Sequence, residues 1–246
     1  MKKLIILLLT VTISLFASTS FNELKFESGI SIYGKIGSVD VTLEENLDTN
    51  RYKMQAIASS SGIVKTLTKN RKDIFISEGI IKDSVYIPTK FTIKISQTDY
   101  EKTTTYIFDY KKNTVLKTKK SIENIVDSRF DILKLKYIDT EKTVVKQSSK
   151  YIKLYNNDYL SLYLNMQKGN IKEGSVDYID KKKKDSLFLI SSKKVEVQKN
   201  HGDDKYNVEL YHDNDSVFFQ KIVSVGNLFY GDAYIEKVSE KKRIRD

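Results

Sequence analysis

YKMQAIASSSGIVKTLTKNRKDIFISEGIIKDSVYIPTKF, residues 52–91, is the stretch of sequence that decides the fold. It opens with a predicted strand whose apolar side chains share one face: Tyr52, Met54, Ala56 and Ala58. Gly62 then permits a tight turn or a bulge, after which residues 63–69 and 73–79 predict two more strands. Pro88 is the only proline, and because it cannot donate a ladder hydrogen bond it predicts a strand start, an edge or a bulge.

The flanking sequence continues the same alternation. Residues 22–45 predict two strands, and within the second strand Val39, Val41 and Leu43 lie on one face with polar residues between them. Residues 90–96 and 102–110 predict a hairpin, and residues 113–120 extend the meander. Beyond residue 169, about six further strands are predicted, in the segments SVDYID, DSLFLISS, KKVEVQK, KYNVELYH, SVFFQKIVSV and FYGDAYIEKV. The charged segment KKRIRD, residues 241–246, is predicted to fray.

One short helix interrupts the strands. In NNDYLSLYLNMQKG, residues 156–169, apolar residues recur at helical spacing, a polar residue at 156–158 can cap the start, and Gly169 suits the C′ position. Residues 121–150 leave two alternatives open. Their apolar positions fall partly at helical spacing, whereas the alternation of ILKLKYI favours a strand.

These patterns predict an all-β protein: a large curved antiparallel sheet, or an open barrel or sandwich, with one short helix near 157–168. No linker or repeat divides residues 18–246, which we interpret as a single domain. An outer-membrane barrel is the structural rival. It is disfavoured because many outward-facing positions are lysine and because the last segment is charged instead of aromatic.

The first residues predict export. Lys2 and Lys3 precede an apolar run of 13 residues, Leu4–Phe16, and Ala17 offers a small residue for cleavage. This layout predicts a signal peptide over residues 1–17, since the apolar run is shorter than the roughly 20 residues of a spanning helix. The chain has no cysteine, so it forms no disulfide and does not carry the lipid anchor of a bacterial lipoprotein. We therefore predict a periplasmic protein with no stable transmembrane span after cleavage.

The formal net charge is +10, but its composition argues against nucleic acid as a partner. Of the 42 basic residues, five are arginine and the rest are lysine. Nucleic-acid sites favour arginine for bidentate contacts, and export removes the usual nucleic-acid partners. Weak attraction to anionic membranes or acidic polysaccharide is compatible with this charge.

Two histidines, His201 and His212, are the candidates for metal binding. Four aspartates accompany them in the sequence: Asp203, Asp204, Asp213 and Asp215. Histidine and carboxylate ligands bind divalent metals. None of these residues has the paired spacing of a metal motif, and aspartate is frequent in turns, so we interpret them as turn residues.

Other signs of catalysis are weak. Ser59–Ser61 lie beside no evident base, and Glu44 and Glu45 are neighbours on a strand, where adjacent side chains point to opposite faces. The lysines of KKKK, residues 181–184, are interpreted as an exposed hairpin tip. We therefore predict that the protein is not an enzyme, with no catalytic, cofactor-binding or metal-binding residues and no cofactor.

The order of segments resembles a known family. The segments are FESGISIYGKIGSVDVTLEE, the stretch 52–91, TYIFDYKKNTV, DYLSLYLNMQ and KYNVELYHDNDSVFFQKIVSVGNLFYGDAYIEKV. In this order, and in the residues around Gly62, Gly79 and Pro88, the chain resembles the domain-of-unknown-function 3108 family of exported bacterial proteins. The resemblance covers nearly the whole chain after residue 17, and residues 120–150 are longer and richer in lysine than the family pattern. It implies a curved antiparallel sheet, periplasmic residence and no assigned activity.

Aromatic residues supply the functional hypothesis. Late strands carry Phe218, Phe219, Phe229, Tyr230 and Tyr234. They can form an ordinary core, or they can line a cavity for a hydrophobic or envelope-derived ligand on a concave face that one helix does not cover fully. The alternative is a structural or assembly partner for an envelope protein, acting through sheet edges or a basic face. A site is expected on the apolar face that residues 52–91 share with the helix at 157–168.

Overall fold

The structure is a computed structural model that describes residues 19–171, 173–179, 185–191, 194–201, 204–212, 218–225 and 232–245. The predicted signal peptide at 1–17 lies outside this part of the chain. So do the lysines at 181–184 and the aromatic residues Phe229 and Tyr230.

In the part of the chain that the structure describes, fourteen strands form one sheet, and neighbouring strands in it are antiparallel. In chain order they are β1 (Thr19–Ile30), β2 (Gly34–Asn46), β3 (Arg51–Ser60), β4 (Lys72–Lys82), β5 (Val85–Gln97), β6 (Tyr100–Asp109), β7 (Thr114–Asp131), β8 (Lys136–Lys153), β9 (Gly174–Val176), β10 (Asp185–Ser191), β11 (Lys194–His201), β12 (Asp204–His212), β13 (Phe219–Val225) and β14 (Ala233–Arg245). Their order across the sheet is β8-β7-β6-β5-β4-β3-β2-β1-β14-β13-β12-β11-β10-β9. The described sheet is therefore open, and the predicted all-β class is confirmed.

Alternation along the strands sets which face is buried. In β2 the side chains of Val41 and Leu43 are buried while those of Asp40 and Glu44 are exposed. In β3, Met54 and its alternate neighbours are buried in the same way. The face predicted to be apolar is the face that packs in the core, as expected for an antiparallel sheet whose other face is exposed to solvent.

Pro88 lies at a bulge, which is one of the three positions predicted for it. Glu78 of β4 pairs with Lys90 of β5, but the next residue, Gly79, pairs with Pro88, so one residue of β5 is left over. A Cβ atom at Gly79 would lie 2.1 Å from the carbonyl oxygen of Ile87, so only glycine fits at this approach. The bulge bends the two strands at this point.

The strand predicted at residues 63–69 is wrong. Residues Gly62–Leu67 form helix α1, which buries none of its side chains. Ser59 of β3 pairs with Lys72 of β4, so the residues between them have no neighbouring strand to join. A helical turn satisfies their backbone groups locally, for example through the hydrogen bond that the amide of Thr68 donates to the carbonyl of Val64.

The strand alternative is correct for residues 121–150. Strands β7 and β8 have 18 residues each and pair continuously from Thr114 with Lys153 to Asp131 with Lys136. The four-residue connection holds Leu135 at a positive φ of 48°. The apolar residues at helical spacing in this region thus lie on the two faces of one long hairpin.

The prediction that residues 241–246 fray is wrong for the residues described. Residues 241–245 belong to β14, and Arg245 pairs with Thr19 at the far end of β1. A guanidinium nitrogen of Arg243 lies 3.4 Å from a carboxylate oxygen of Glu23. Residues 241–244 are exposed, so the charges of Lys241, Lys242 and Arg243 stay in solvent while the backbone completes the ladder.

Helix α2, Tyr159–Gln167, is the helix that the sequence predicts. Its N-cap is Asp158, whose carboxylate accepts hydrogen bonds from the amides of Leu160 and Ser161, both at 2.8 Å. The hydroxyl of Ser161 in turn accepts from the amide of Asp158, which completes a capping box. Gly169 follows the helix with a φ of +71°, as the C′ position favours.

The sheet curls around α2. The Tyr159 ring lies 5.7 Å from the ring of Phe91 on β5, and the Tyr163 ring, one turn along, lies 5.1 Å from that of Phe219 on β13. Strands β5 and β13 are six places apart in the sheet order. In a flat sheet they would be roughly 29 Å apart at about 4.8 Å per strand. A single short helix can touch both only if the sheet is strongly curved.

Candidate functional site

An apolar cavity of about 150 Å³ lies between α2 and the concave face of the sheet. Strands β1, β2, β3, β13 and β14 form one wall and α2 forms the other. Its lining is Phe26, Val39, Val41, Met54, Ala56, Tyr159, Leu160, Tyr163, Phe218, Ile222 and Ile235. This is the place where the sequence analysis expected a site, on the face that residues 52–91 share with the helix.

The two tyrosines give the cavity little polarity. The Tyr163 hydroxyl accepts a hydrogen bond of 3.0 Å from the amide of Phe219, and the Tyr163 ring stacks on that of Phe218. Burial raises the pKa of Tyr163, so its phenol stays neutral at any physiological pH. No acidic or basic side chain lines the cavity. A molecule held here would be recognised by apolar contact.

Two polar anchors fix the helical wall of the cavity. The first is the N-cap itself: the Asp158 carboxylate accepts a hydrogen bond of 2.6 Å from the Ser77 hydroxyl, and the Ser77 and Tyr52 hydroxyls are 2.9 Å apart. Burial raises the pKa of Asp158 to about 6, against the opposing effect of these hydrogen bonds. The Asp158 carboxylate is fully buried and each of its oxygens is bonded, so it holds the helix and does not face a substrate.

Asn165 is the second anchor. Its side-chain oxygen accepts from the amide of Tyr86, and its side-chain nitrogen donates to the carbonyl of the same residue, at 2.8 and 2.9 Å. The same nitrogen also donates to the side-chain oxygen of Asn157. Because the amide of Asn165 satisfies both backbone groups of Tyr86, it joins α2 to β5 as a neighbouring strand would.

A larger depression, of about 590 Å³, lies on the outer face of β2 to β5. Its floor carries side chains of alternating sign that pair across the strands: Glu44 with Lys53, Lys53 with Glu78, and Glu78 with Lys90. Opposite charges in such a ladder stabilise the sheet modestly. We assign the candidate site to the smaller cavity, because an apolar lining favours a ligand more than charges that are already paired in water.

The backbone separates the two histidines. His201 pairs with Asp204 at one end of β12, while His212 ends the same strand. Eight residues of strand place them roughly 26 Å apart at about 3.3 Å per residue, so they do not bind one ion together. Asp203, Asp213 and Asp215 lie outside the described residues. Within the described ranges, no group of three His, Asp or Glu side chains is placed to hold a metal.

The other weak catalytic signals are explained by packing. Ser60 ends β3, and its hydroxyl is 2.9 Å from that of Thr68, which ties α1 to the sheet. Glu45 accepts a hydrogen bond from the Tyr86 hydroxyl, whereas its neighbour Glu44 is exposed on the outer face. The two carboxylates point to opposite faces, as predicted for neighbours on a strand.

Sequence reasoning missed the partner of Asp158. Ser77 lies in β4 with its side chain fully buried, at a position where alternation predicts an apolar residue. A lone buried serine has no signature in a single sequence, and only the docking of α2 reveals its role. The cap at 156–158 was predictable because aspartate is a strong N-cap residue.

Sequence comparisons identify no family for this chain. No protein-family model matches the chain, and no curated protein matches it in sequence. The resemblance to the domain-of-unknown-function 3108 family therefore stays a prediction. None of the helices in the described part of the chain is long and apolar enough to cross a bilayer.

Two solved structures are similar to the chain at low scores. One is a beta-barrel-like protein of domain of unknown function 1849 from Brucella abortus, with 11% identity and a TM-score of 0.28, covering 94% of this chain and 99% of that one. The other is a porin-like protein from Bacteroides uniformis, with 8% identity and a TM-score of 0.19, covering 91% and 96%. No function is transferred from either.

Proposed function

We propose that this is an exported, non-enzymatic protein that binds a hydrophobic ligand in the cavity beneath α2. The observation that carries the proposal is the cavity lining, in which every side chain is aliphatic or aromatic. Desolvated apolar enclosures are the common form of small-molecule sites. Export to the periplasm is supported by the sequence of residues 1–17.

The cavity size limits the ligand. A space of about 150 Å³ is smaller than the roughly 300–1,000 Å³ of sites that enclose whole drug-sized molecules. Apolar cavities of roughly this volume hold a group the size of benzene. The ligand therefore inserts one apolar part, such as the end of an acyl chain, and its polar part stays outside the cavity.

The alternative function, assembly through sheet edges, has weaker support. Edge strand β8 pairs on one side with β7 and offers its other side for pairing. Lysines recur along it at Lys136, Lys142, Lys146 and Lys150. Lysine on an edge strand is a common protection against pairing with another chain.

A cavity-filling substitution tests the proposal. Residues 18–246, which contain every described strand and helix, are titrated with parinaric acid, a fluorescent fatty acid. Ala56→Phe places a ring in the cavity and is expected to weaken binding by at least about tenfold, or roughly 1.4 kcal/mol. Val238→Phe adds the same ring at an exposed position of β14 and is expected to leave binding unchanged.

Thermal unfolding of both variants shows whether each remains folded. The proposal is overturned if the unmodified protein does not bind the probe and carries no lipid in native mass spectrometry. It is equally overturned if folded Ala56→Phe binds as tightly as the unmodified protein.

A further inference from the structure

The end of the β7–β8 hairpin projects beyond the rest of the sheet. The pairing of β6 with β7 ends at Tyr100 with Glu123, and the amide of Asn124 makes the last backbone contact, to the carbonyl of Asp99. Eight further residue pairs continue between β7 and β8, down to Asp131 with Lys136. At about 3.4 Å per residue, this two-stranded ribbon extends roughly 27 Å from its last neighbour.

The tip of this ribbon is apolar and exposed. The hairpin tip is defined as residues 130–138, and within it Leu133 is 96% exposed and Leu135 is 77% exposed. The rings of Phe130 and Tyr137 stack edge to face with centroids 5.2 Å apart, and both are at least half exposed. Contiguous exposed apolar surface of this kind marks a docking site for a membrane or a protein.

Charge points to an anionic partner. The outermost residues of the ribbon, 132–138, carry two lysines and no acidic residue, whereas the ribbon behind them, residues 124–131 and 139–143, carries two basic and four acidic residues. Arg129, further from the end, lies 3.3 Å from the carboxylate of Asp127. The positive charge of the tip is therefore that of Lys134 and Lys136. Basic side chains beside an apolar tip match the anionic headgroups that overlie a hydrocarbon interior.

The arrangement of the apolar side chains favours lipid over protein. Phe130 and Tyr137 pair on one face of the ribbon, while Ile138 pairs with Arg129 on the other, and the connecting residues lie at the end. A protein surface would cover one face, whereas lipid surrounds all sides. The long basic side chains can keep their charges at the headgroups while their stems lie in apolar surroundings.

We propose that the hairpin tip, residues 130–138, inserts into the interface of a membrane that contains anionic lipid. The tip reaches about 10 Å into the headgroup and upper acyl region, a depth typical of interfacial segments. Deeper insertion is opposed by the cost of carrying unpaired backbone groups of the ribbon edges into hydrocarbon. This inference rests on the hairpin alone and does not depend on the cavity beneath α2.

Vesicle binding of residues 18–246 tests the inference, because removing residues 1–17 excludes insertion of their apolar run. Vesicles of phosphatidylcholine are compared with vesicles of equal parts phosphatidylcholine and phosphatidylglycerol. The protein is expected to co-sediment with the anionic vesicles, and less so at high salt, which screens the lysines. Leu133→Asp/Leu135→Asp is expected to reduce this binding by at least about tenfold.

The matched control is Ile63→Asp/Leu67→Asp on α1. These two apolar residues are as exposed as those of the tip, at 80% and 76%, and the double substitution changes the net charge equally. Circular dichroism is used to check that both variants remain folded. The control is expected to bind anionic vesicles as the unmodified protein does.

A fluorescent variant reports the depth of insertion. The chain has no tryptophan, so Leu133→Trp introduces a single indole and keeps the tip apolar. Its emission is expected to shift to the blue on anionic vesicles and to be quenched by lipids with bromine on the upper acyl chain. Ile63→Trp is expected to show neither effect.

Several results would overturn the inference. One is the absence of binding to anionic vesicles, and another is equal loss of binding in the tip and control variants. A third is a tip-dependent oligomer in light scattering without vesicle binding, which would make the tip a protein contact. The Ala56→Phe variant distinguishes this inference from the proposed function, since it is expected to lose the fatty-acid probe and still bind vesicles.

Discussion

The strands that surround α2 and the projecting part of the β7–β8 hairpin differ sharply in burial. On β2, alternate apolar residues such as Leu43 are fully buried, whereas Leu133 and Tyr137 of the hairpin are 96% and 70% exposed. Both regions are antiparallel. The alternation of residues 132–138, however, runs across the connection between β7 and β8, and it does not tell whether anything covers these strands.

The helix makes the difference. Leu164 of α2 belongs to one buried cluster with β1 to β3, Leu162 and Met166 belong to a second with β12 and β13, and Leu160 packs on a third with β5 and β6. Within the described part of the chain, no helix packs on the hairpin beyond Glu123, which is held by its ladder and by side-chain contacts between its own two strands. Its stability should therefore be largely independent of the core.

The largest expected effect comes from one matched pair of leucines. Leu164→Ala creates a cavity at a fully buried position and is expected to lower the free energy of unfolding by about 3–4 kcal/mol. Leu133→Ala removes the same atoms from the exposed tip and is expected to change it by less than about 0.5 kcal/mol. Urea denaturation measures both, and similar losses in the two variants would contradict the contrast drawn between the regions.

The pH dependence of stability at the buried residue Asp158 is a second test of the contrast between core and hairpin. Burial raises the pKa of its carboxyl from 3.8 to about 6 in the folded state, so between these values the folded protein binds more protons than the unfolded chain. The stability from this group is therefore fully present below about pH 4 and is lost as pH rises to about 6. The loss is about 3 kcal/mol at about 1.4 kcal/mol per pKa unit.

Asp158→Asn tests this dependence, because asparagine keeps the N-cap without the charge. The difference in unfolding free energy between the variant and the unmodified protein is expected to grow in favour of the variant from pH 4 to pH 6. Asp127→Asn on the exposed hairpin serves as the control. A difference that is constant over this range would show that ionisation of Asp158 does not oppose folding.

Shortening the hairpin should have the smallest effect. Residues 126–141 are replaced by Asn-Gly, which suits a two-residue hairpin turn. Because these residues pair with each other and not with another strand of the described sheet, the unfolding free energy is expected to change by less than about 1 kcal/mol. Vesicle binding is expected to be lost in the same variant. A large fall in stability would mean that the ribbon supports the core.

Several elements were predictable for local reasons. The strands around α2 were predicted from alternation and the helix from its cap and spacing, and Pro88 limited its own position to a strand start, an edge or a bulge. Each of these depends on residues near in sequence. Helix α1 was not predictable, because IVKTLTK alternates like a strand. It lies outside the sheet only because Ser59 pairs directly with Lys72. The pairing of residues 241–245 was not predictable either, because their partner strand, β1, lies over 200 residues away in the sequence.

The sequence by itself determined the all-β class, the positions of most strands and turns, and the apolar face on which the cavity was expected. Those features follow from backbone propensity and period, which are local. Only the tertiary structure decided which alternating strands are covered, which buried polar groups meet, and where the sheet curls. Burial and pairing need a partner from elsewhere in the chain, and no local pattern predicts which segment that partner is. The cavity beneath α2 and the exposed tip of the hairpin both follow from which strands the tertiary structure covers.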